Sequence, residues 1–254
     1  MKRSTQKTPR AAKAIDRTQN PKAMAFPNVP PKTENQRYLV EALQECTLVV
    51  AAGPAGTGKT LLGIQHAAKK LYTGKVKKIV LIRAYQPLAG RSIGFLPGEL
   101  EDKLLPYYKQ MLEYLEDFLG KTQVELYRKR GEIEICSLET IRGRSWDDTC
   151  IIVDEAQNLY CEEIQALTTR IGQNSQMILM GDDSGVQTDI KNKKDGLSYL
   201  LGLIEKYDIE GTDFIHFTYD DILRSDVTKA FVIAFDKELQ EEKLKARKSV
   251  KEKV

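Results

Sequence analysis

Two short stretches hold the residue types that could do chemistry. GPAGTGKT, Gly53 to Thr60, matches G-x-x-x-x-G-K-[ST] in full. CIIVDEAQN, Cys150 to Asn158, is an apolar run that ends in two adjacent acids, Asp154 and Glu155. The glycines of the first stretch let backbone N–H groups turn inward as a nest for anionic oxygens. A helix starting there presents its positive end to the same anion. Lys59 has the reach for outer phosphates, and the Thr60 hydroxyl is a ligand for a divalent cation. The second stretch supplies what the first lacks. An ionised carboxylate at the end of a buried strand is costly unless something pairs with it. Asp154 fits the metal and Glu155 fits the general base for a water. Two acids are needed because one manages the cation and the other the nucleophile.

The run Gly53, Pro54, Ala55, Gly56, Thr57, Gly58, Lys59, Thr60 and Leu61 is therefore assigned to a nucleotide, with Thr60 and Asp154 as the Mg²⁺ residues. Lys59 and Glu155 are the catalytic candidates. An acid beside Asp154 favours hydrolysis over transfer to an acceptor, because a small-molecule kinase has to keep water out. Gln36, just before the first strand, carries an amide whose donor and acceptor match the adenine edge. The rival reading is a helix-start Asn35 cap with an exposed Gln36. Together these residues imply ATP and Mg²⁺ as cofactors.

The elements that must position these groups follow from periodicity. ENQRYLVEALQ has helical spacing, and TLVVAAG is long enough for a buried strand. A helix over LLGIQHAAKKLY, a strand over KKIVLIR and a loop-like AYQPLAGRSIGFLPGEL follow. A long helix runs from about Gly98 to Leu119, with a kink or break expected at Pro106. IEICSL and TCIIVDE read as strands, and AQNLYCEEIQALTTRIG as one helix ending at Gly172. SQMILMGD and DFIHFTY are strands flanking the helix GLSYLLGLIEKY, and a last helix starts near Asp226. YRKRG, Tyr127 to Gly131, reads as a hairpin or loop edge. Alternating strands and helices, with near-continuous apolar strands, predict a mostly parallel sheet covered on both faces.

At 254 residues, 41% of them apolar, the chain can bury a real core. No apolar run reaches membrane-spanning length, so no membrane partner is expected. Four cysteines without a C-x-x-C pair suit a reducing, cytoplasmic compartment. His66 and His216 have no ligand-type neighbours and read as structural. The net charge of +3 is uneven: residues 1–24 carry +6, residues 237–254 carry +3, and the body between them −6. Basic ends on an acidic body suit an anionic partner or a solubilising role. Residues 1–33 read as a mobile basic arm, 34–236 as the folded domain, and 237–254 as a charged helix or tail.

Several pieces together resemble the PhoH family of P-loop ATPases, related to superfamily 1 helicases. They are NQRYL, GPAGTGKT, GFLPGEL with PYY soon after, IRGRSW, VDEAQN, LTTRIG, MGD and the ILRSDV segment around Arg224. They span roughly residues 34–235. The resemblance implies a single RecA-like domain, Mg-ATP hydrolysis and ring-shaped homo-oligomers, hexamers above all. It also implies a tie to RNA metabolism, with single-stranded RNA favoured over DNA and helicase or translocase activity in view. An ATP-gated regulator or adaptor without motor activity is the alternative.

Asp182 ends the QMILMGD strand beside the acidic strand. The family pattern G-D-x-x-Q is not kept: Gly185 stands where Gln is expected and the next Gln is Gln187. Gln187 or Gln157 is left for the γ-phosphate sensor. Arg224 sits in a short polar link and has three readings: a finger reaching a neighbouring subunit's γ-phosphate, a cis contact to its own nucleotide, or an ion pair with Asp221 or Asp226. Arg142 and Arg144 suit a nucleic-acid backbone or a structural ion pair. Trp146 suits core packing better than base stacking.

Overall fold

A computed structural model describes residues 26–84, 100–141, 143–183 and 195–251. Six strands form one sheet: β1 (Leu48–Ala52), β2 (Lys78–Arg83), β3 (Ile133–Cys136), β4 (Thr149–Asp154), β5 (Gln176–Gly181) and β6 (Thr212–His216). Their order is β3-β2-β4-β5-β1-β6, and every pair is parallel. The loop-bearing strand β1 and the acidic strand β4 are thus separated by β5 alone. This is the RecA-like P-loop arrangement.

Both faces of the sheet are covered, which explains the unbroken apolar strands. Alternate residues go to opposite cores. Val49, Ala51, Ile79, Leu81, Ile152 and Ile178 pack under α1 (Glu34–Glu45), α2 (Lys59–Tyr72), α3 (Leu100–Leu119) and α4 (Lys121–Lys129). Val50, Val80, Ile151, Val153 and Leu179 pack under α5 (Cys161–Thr168) and α6 (Gly196–Tyr207). Trp146 is buried in the second core, as its packing role requires. The last helix, α7, runs from Asp226 to Lys251. Among the described residues, no helix is long and apolar enough to cross a membrane.

Four local expectations change. Pro106 does not break α3, which continues through it. Its lost backbone bond is outweighed by the buried Tyr108, Met111, Leu115 and Phe118 further along the same helix. The expected single helix after Glu155 is instead a 3₁₀ turn, Ala156–Asn158, followed by α5. Leu159 is extended, and Tyr160 starts α5 with its backbone N–H bound by Glu163. YRKRG is not a hairpin; most of it is the end of α4. That helix presents one buried residue, Val124, so its apolar stripe is too thin to read. Finally, the expected arm is anchored from Phe26 onward: Phe26 packs against Tyr72 and Phe118, and the Val29 N–H donates to Gln65 Oε1 at 2.6 Å.

Candidate nucleotide site

Parallel pairing brings the C-terminal ends of β1, β4, β5 and β6 together, and the site forms along that edge. Gly53 follows β1, with Ala52 opposite both Gly181 and His216. Asp154 is the last residue of β4 and pairs in register with Arg83. A cavity of about 270 Å³ opens there. Its walls include Gly53, Ala55 to Leu61, Asp154, Glu155, Asp182 and Arg224. Of the residues singled out from sequence, Gln36, Pro54 and Gln157 do not line it.

The loop from Gly53 to Gly58 depends on backbone angles open to glycine. Gly53, Gly56 and Gly58 all have positive φ, at 136°, 85° and 83°. Any Cβ at Gly53 would run into the Phe217 carbonyl, and one at Gly56 would meet the Arg224 side chain. The chain after β6 thus lies on the loop, and Leu223 N–H donates to the Gly56 carbonyl at 3.1 Å. Arg224 therefore sits beside the P-loop of its own chain, lining the cavity.

Lys59 is buried and folds back onto the loop. Its Nζ donates to the carbonyls of Gly53 and Pro54 at 2.7 Å each, and to Thr57 Oγ1 at 3.1 Å. Burial pushes its pKa down to about 8, against the pull of Asp182 and Asp154. A phosphate in the nest would offer this ammonium a better acceptor than neutral carbonyls.

Gln36 is not exposed and does not face the cavity. Its Nε2 donates to the Thr57 carbonyl at 2.8 Å, and its Oε1 accepts from Lys32 N–H at 2.6 Å. The amide braces the loop from behind. Asn35 is not the helix cap either, since Thr33 is. Asn35 Nδ2 instead donates to Asp221 at 2.7 Å, and Asp221 also accepts from Thr218 N–H at 2.8 Å.

The acids form a second network. Thr60 Oγ1 donates to Asp154 Oδ1 at 3.2 Å. Burial first, then the neighbouring Glu155, pushes the Asp154 carboxyl up to about 6, while Arg83 and Thr60 pull it down. Glu155 has a left-handed backbone, φ 56° and ψ 38°. Arg83 Nη2 donates to its Oε1 at 3.0 Å, and Gln157 Nε2 to its Oε2 at 2.6 Å. Gln157 Oε1 accepts from Asp182 N–H at 3.0 Å, tying β4 to the end of β5. Among the described residues, the cation paired with both acids is Arg83, with Nε 3.9 Å from Asp154 Oδ2. Lys59 donates instead to its own loop.

Residues 28–236 match the family model described as PhoH-like protein. The chain belongs to the PhoH family. A PhoH-like protein of Bacillus subtilis (strain 168) is 39% identical over 82% of this chain and 64% of that protein. The PhoH-like protein of Synechocystis is 33% identical over 81% of this chain and 62% of its own length. Protein PhoH of Escherichia coli (strain K12) is 31% identical over 76% of this chain and 54% of that protein. The chain thus spans about three-fifths of the length of the curated relatives it matches first.

Other residues fall out differently in this PhoH-family chain. Arg144 pairs with Glu134, the structural ion pair of its two readings. Arg142, Gly185, Gln187 and most of GFLPGEL lie outside the described residues. Sequence reasoning missed Arg83, and it missed Gln110 and Tyr114 of α3, which also line the cavity. The sequence signals only a strand that ends on an arginine; its register with Asp154 is set by the fold.

Proposed function

We propose that this PhoH-family chain binds ATP with Mg²⁺ and hydrolyses it. We further propose that it couples that cycle to single-stranded nucleic acid, RNA in preference to DNA, as a ring-shaped homo-oligomer of hexameric type. One observation carries the hydrolytic reading. The Thr60 hydroxyl lies 3.2 Å from the Asp154 carboxylate, with Glu155 next along the chain, in the cavity that the P-loop walls.

A hydroxyl and a carboxylate are hard oxygen donors that suit Mg²⁺. The raised pKa of buried Asp154 marks a carboxylate that an added cation would stabilise in its charged form. Thr60 and Asp154 would hold Mg²⁺, directly or through water, and its chemistry is to screen phosphate charge. The loop N–H groups receive the phosphate oxygens, and Lys59 moves from its carbonyls to the outer phosphates. Glu155 accepts the proton of the water that attacks the γ-phosphorus. The bond to the β–γ bridging oxygen breaks, and ADP and phosphate leave. Arg224, placed over its own loop, adds positive charge in cis.

The nucleic-acid reading is supported by the basic termini on an acidic body. Ring assembly is supported by family membership, and a cytoplasmic setting by four free thiols. The test of hydrolysis is Glu155→Gln, which should retain ATP binding and lower turnover by about 10²- to 10⁴-fold. Unchanged turnover overturns the assignment. ATPase rates with single-stranded RNA, single-stranded DNA or no polymer, at fixed salt, test the coupling. Sedimentation with Mg-ATP tests the ring, and a monomer there removes it.

A second reading, an ATP-gated regulator without motor activity, is favoured by one observation. Both Glu155 oxygens are already engaged, by Arg83 and Gln157. It predicts ATP-dependent assembly without unwinding.

A further inference from the structure

We propose that Arg83 is a positioning residue that holds Glu155 in a resting arrangement, and that turnover waits on its release. The inference rests on the hydrolytic reading above. In the described arrangement each Glu155 oxygen accepts a charged or amide N–H, so the orientation of the carboxylate is set by protein groups. The left-handed backbone of Glu155 supports the same conclusion. A non-glycine residue there persists only where its surroundings impose it. Arg83 is the charged partner that restrains this side chain, whereas Gln157 links it to the Asp182 N–H and so keeps it at the site.

Arg83 is itself held by α3. Its Nη1 donates to the Tyr107 carbonyl at 2.6 Å, and its backbone N–H donates to the Tyr108 hydroxyl at 3.0 Å. The same Tyr108 hydroxyl donates to the Cys136 carbonyl at 3.1 Å, fixing α3 against the end of β3. Strand register fixes the other side, with Arg83 opposite Asp154. The helix that holds the guanidinium also walls the cavity, through Gln110 and Tyr114 one and two turns past Tyr107. Anything that displaces this wall also draws on the Arg83 clasp. The pair is only partly buried, with the Arg83 and Glu155 side chains 22% and 33% exposed, so water can replace either partner when it opens.

The experiment compares Arg83→Gln and Arg83→Lys with wild type in the full chain, with and without single-stranded RNA. Arg83→Gln should raise basal kcat by about threefold or more, hold KM for ATP within about twofold, and flatten any stimulation by polymer. Arg83→Lys keeps a cation beside Glu155 and should restore the low basal rate. A fall or no change in basal kcat for Arg83→Gln, with an unchanged melting temperature, overturns the proposal. If Arg83→Gln melts early, rates are read below its melting temperature, where a basal kcat at or below that of wild type overturns the proposal and a raised one sustains it. If wild type shows no hydrolysis, activity in Arg83→Gln supports the clasp and its absence overturns it. Glu155→Gln run in parallel separates the two readings. Wild-type turnover in Glu155→Gln sinks the hydrolytic assignment itself, whereas an inactive Glu155→Gln beside an unaccelerated Arg83→Gln sinks only the clasp.

Discussion

The two halves of the cavity are built differently. The phosphate half is nearly all backbone: one contiguous loop, three glycines at positive φ, and a lysine folded onto carbonyls of the same loop. The acid half is nearly all side chain. Asp154, Glu155 and Gln157 come from one stretch, but they are set by Arg83 from β2, Thr60 from α2 and the Asp182 N–H after β5. The first half is fixed by steric limits on the chain. The second depends on charges and amides contributed by several separate elements. The phosphate half should therefore fail by losing its shape, and the acid half by losing rate.

The largest expected effect is Gly53→Ala. The new Cβ meets the Phe217 carbonyl at a backbone angle that L side chains rarely adopt, and backbone is the obstacle. A loss of about 3 kcal/mol or more is expected, read by denaturant unfolding, with ATP binding lost as well. A variant as stable as wild type would show that the loop can relax and would break the contrast. Next is Gln157→Leu, which removes the amide linking Glu155 to Asp182. Turnover should fall by about ten- to a hundredfold while nucleotide affinity stays within about threefold. Equal losses in both would mean that the halves are not separable. Smaller again is Gln36→Leu. It leaves the Thr57 carbonyl and the Lys32 N–H without their partner, for about 1–3 kcal/mol of stability. Affinity should weaken and the rate at saturation should hold.

The smallest effect on the site itself comes from outside both halves and serves as their control. Burial pushes His66 down to about 4, and its ring N–H donates to Gln176 Oε1 at 2.8 Å. The unfolded chain takes up that proton near its ordinary value, about 6.5, before the folded chain does. Stability therefore falls as pH drops from about 6.5 to about 4 and levels off below, by up to about 3 kcal/mol. The difference between wild type and His66→Gln across that window should carry this slope, while nucleotide affinity at neutral pH stays the same. Parallel stability curves would remove the assignment.

The same contrast explains how much could be read from the chain. The strand and helix alternation, both cores and the whole phosphate loop were legible, because each is specified by neighbours in sequence. Asp154 and Glu155 were legible because the strand ends on them. Arg83 was not, since nothing in KKIVLIR says which strand it will pair with; the register with β4 makes it a partner of the acids. Gln36 was noticed for its amide, whose chemistry suits a peptide carbonyl as well as an adenine edge; which peptide carbonyl it meets, that of Thr57, is set by the fold. The turn at Ala156–Asn158 was hidden by a sequence with good helical spacing. Its cause is tertiary: Gln157 is drawn to Glu155 and Asp182, and Asn158 Nδ2 donates to the Ala84 carbonyl at 3.3 Å.

The first turn of α1 sets a dimension of the site. Asn35 holds Asp221, four residues from the end of the link that carries Leu223 and Arg224 onto Gly56. Gln36, the very next residue, holds Thr57 on the opposite lip. Consecutive residues on one rigid turn thus grip both jaws, in the manner of a calliper. The gap between Arg224 and the loop cannot widen on one side alone without breaking a hydrogen bond at the other. A tilt of α1, whose Tyr38 face is exposed, would therefore change the bite on a nucleotide without touching a single phosphate-binding residue.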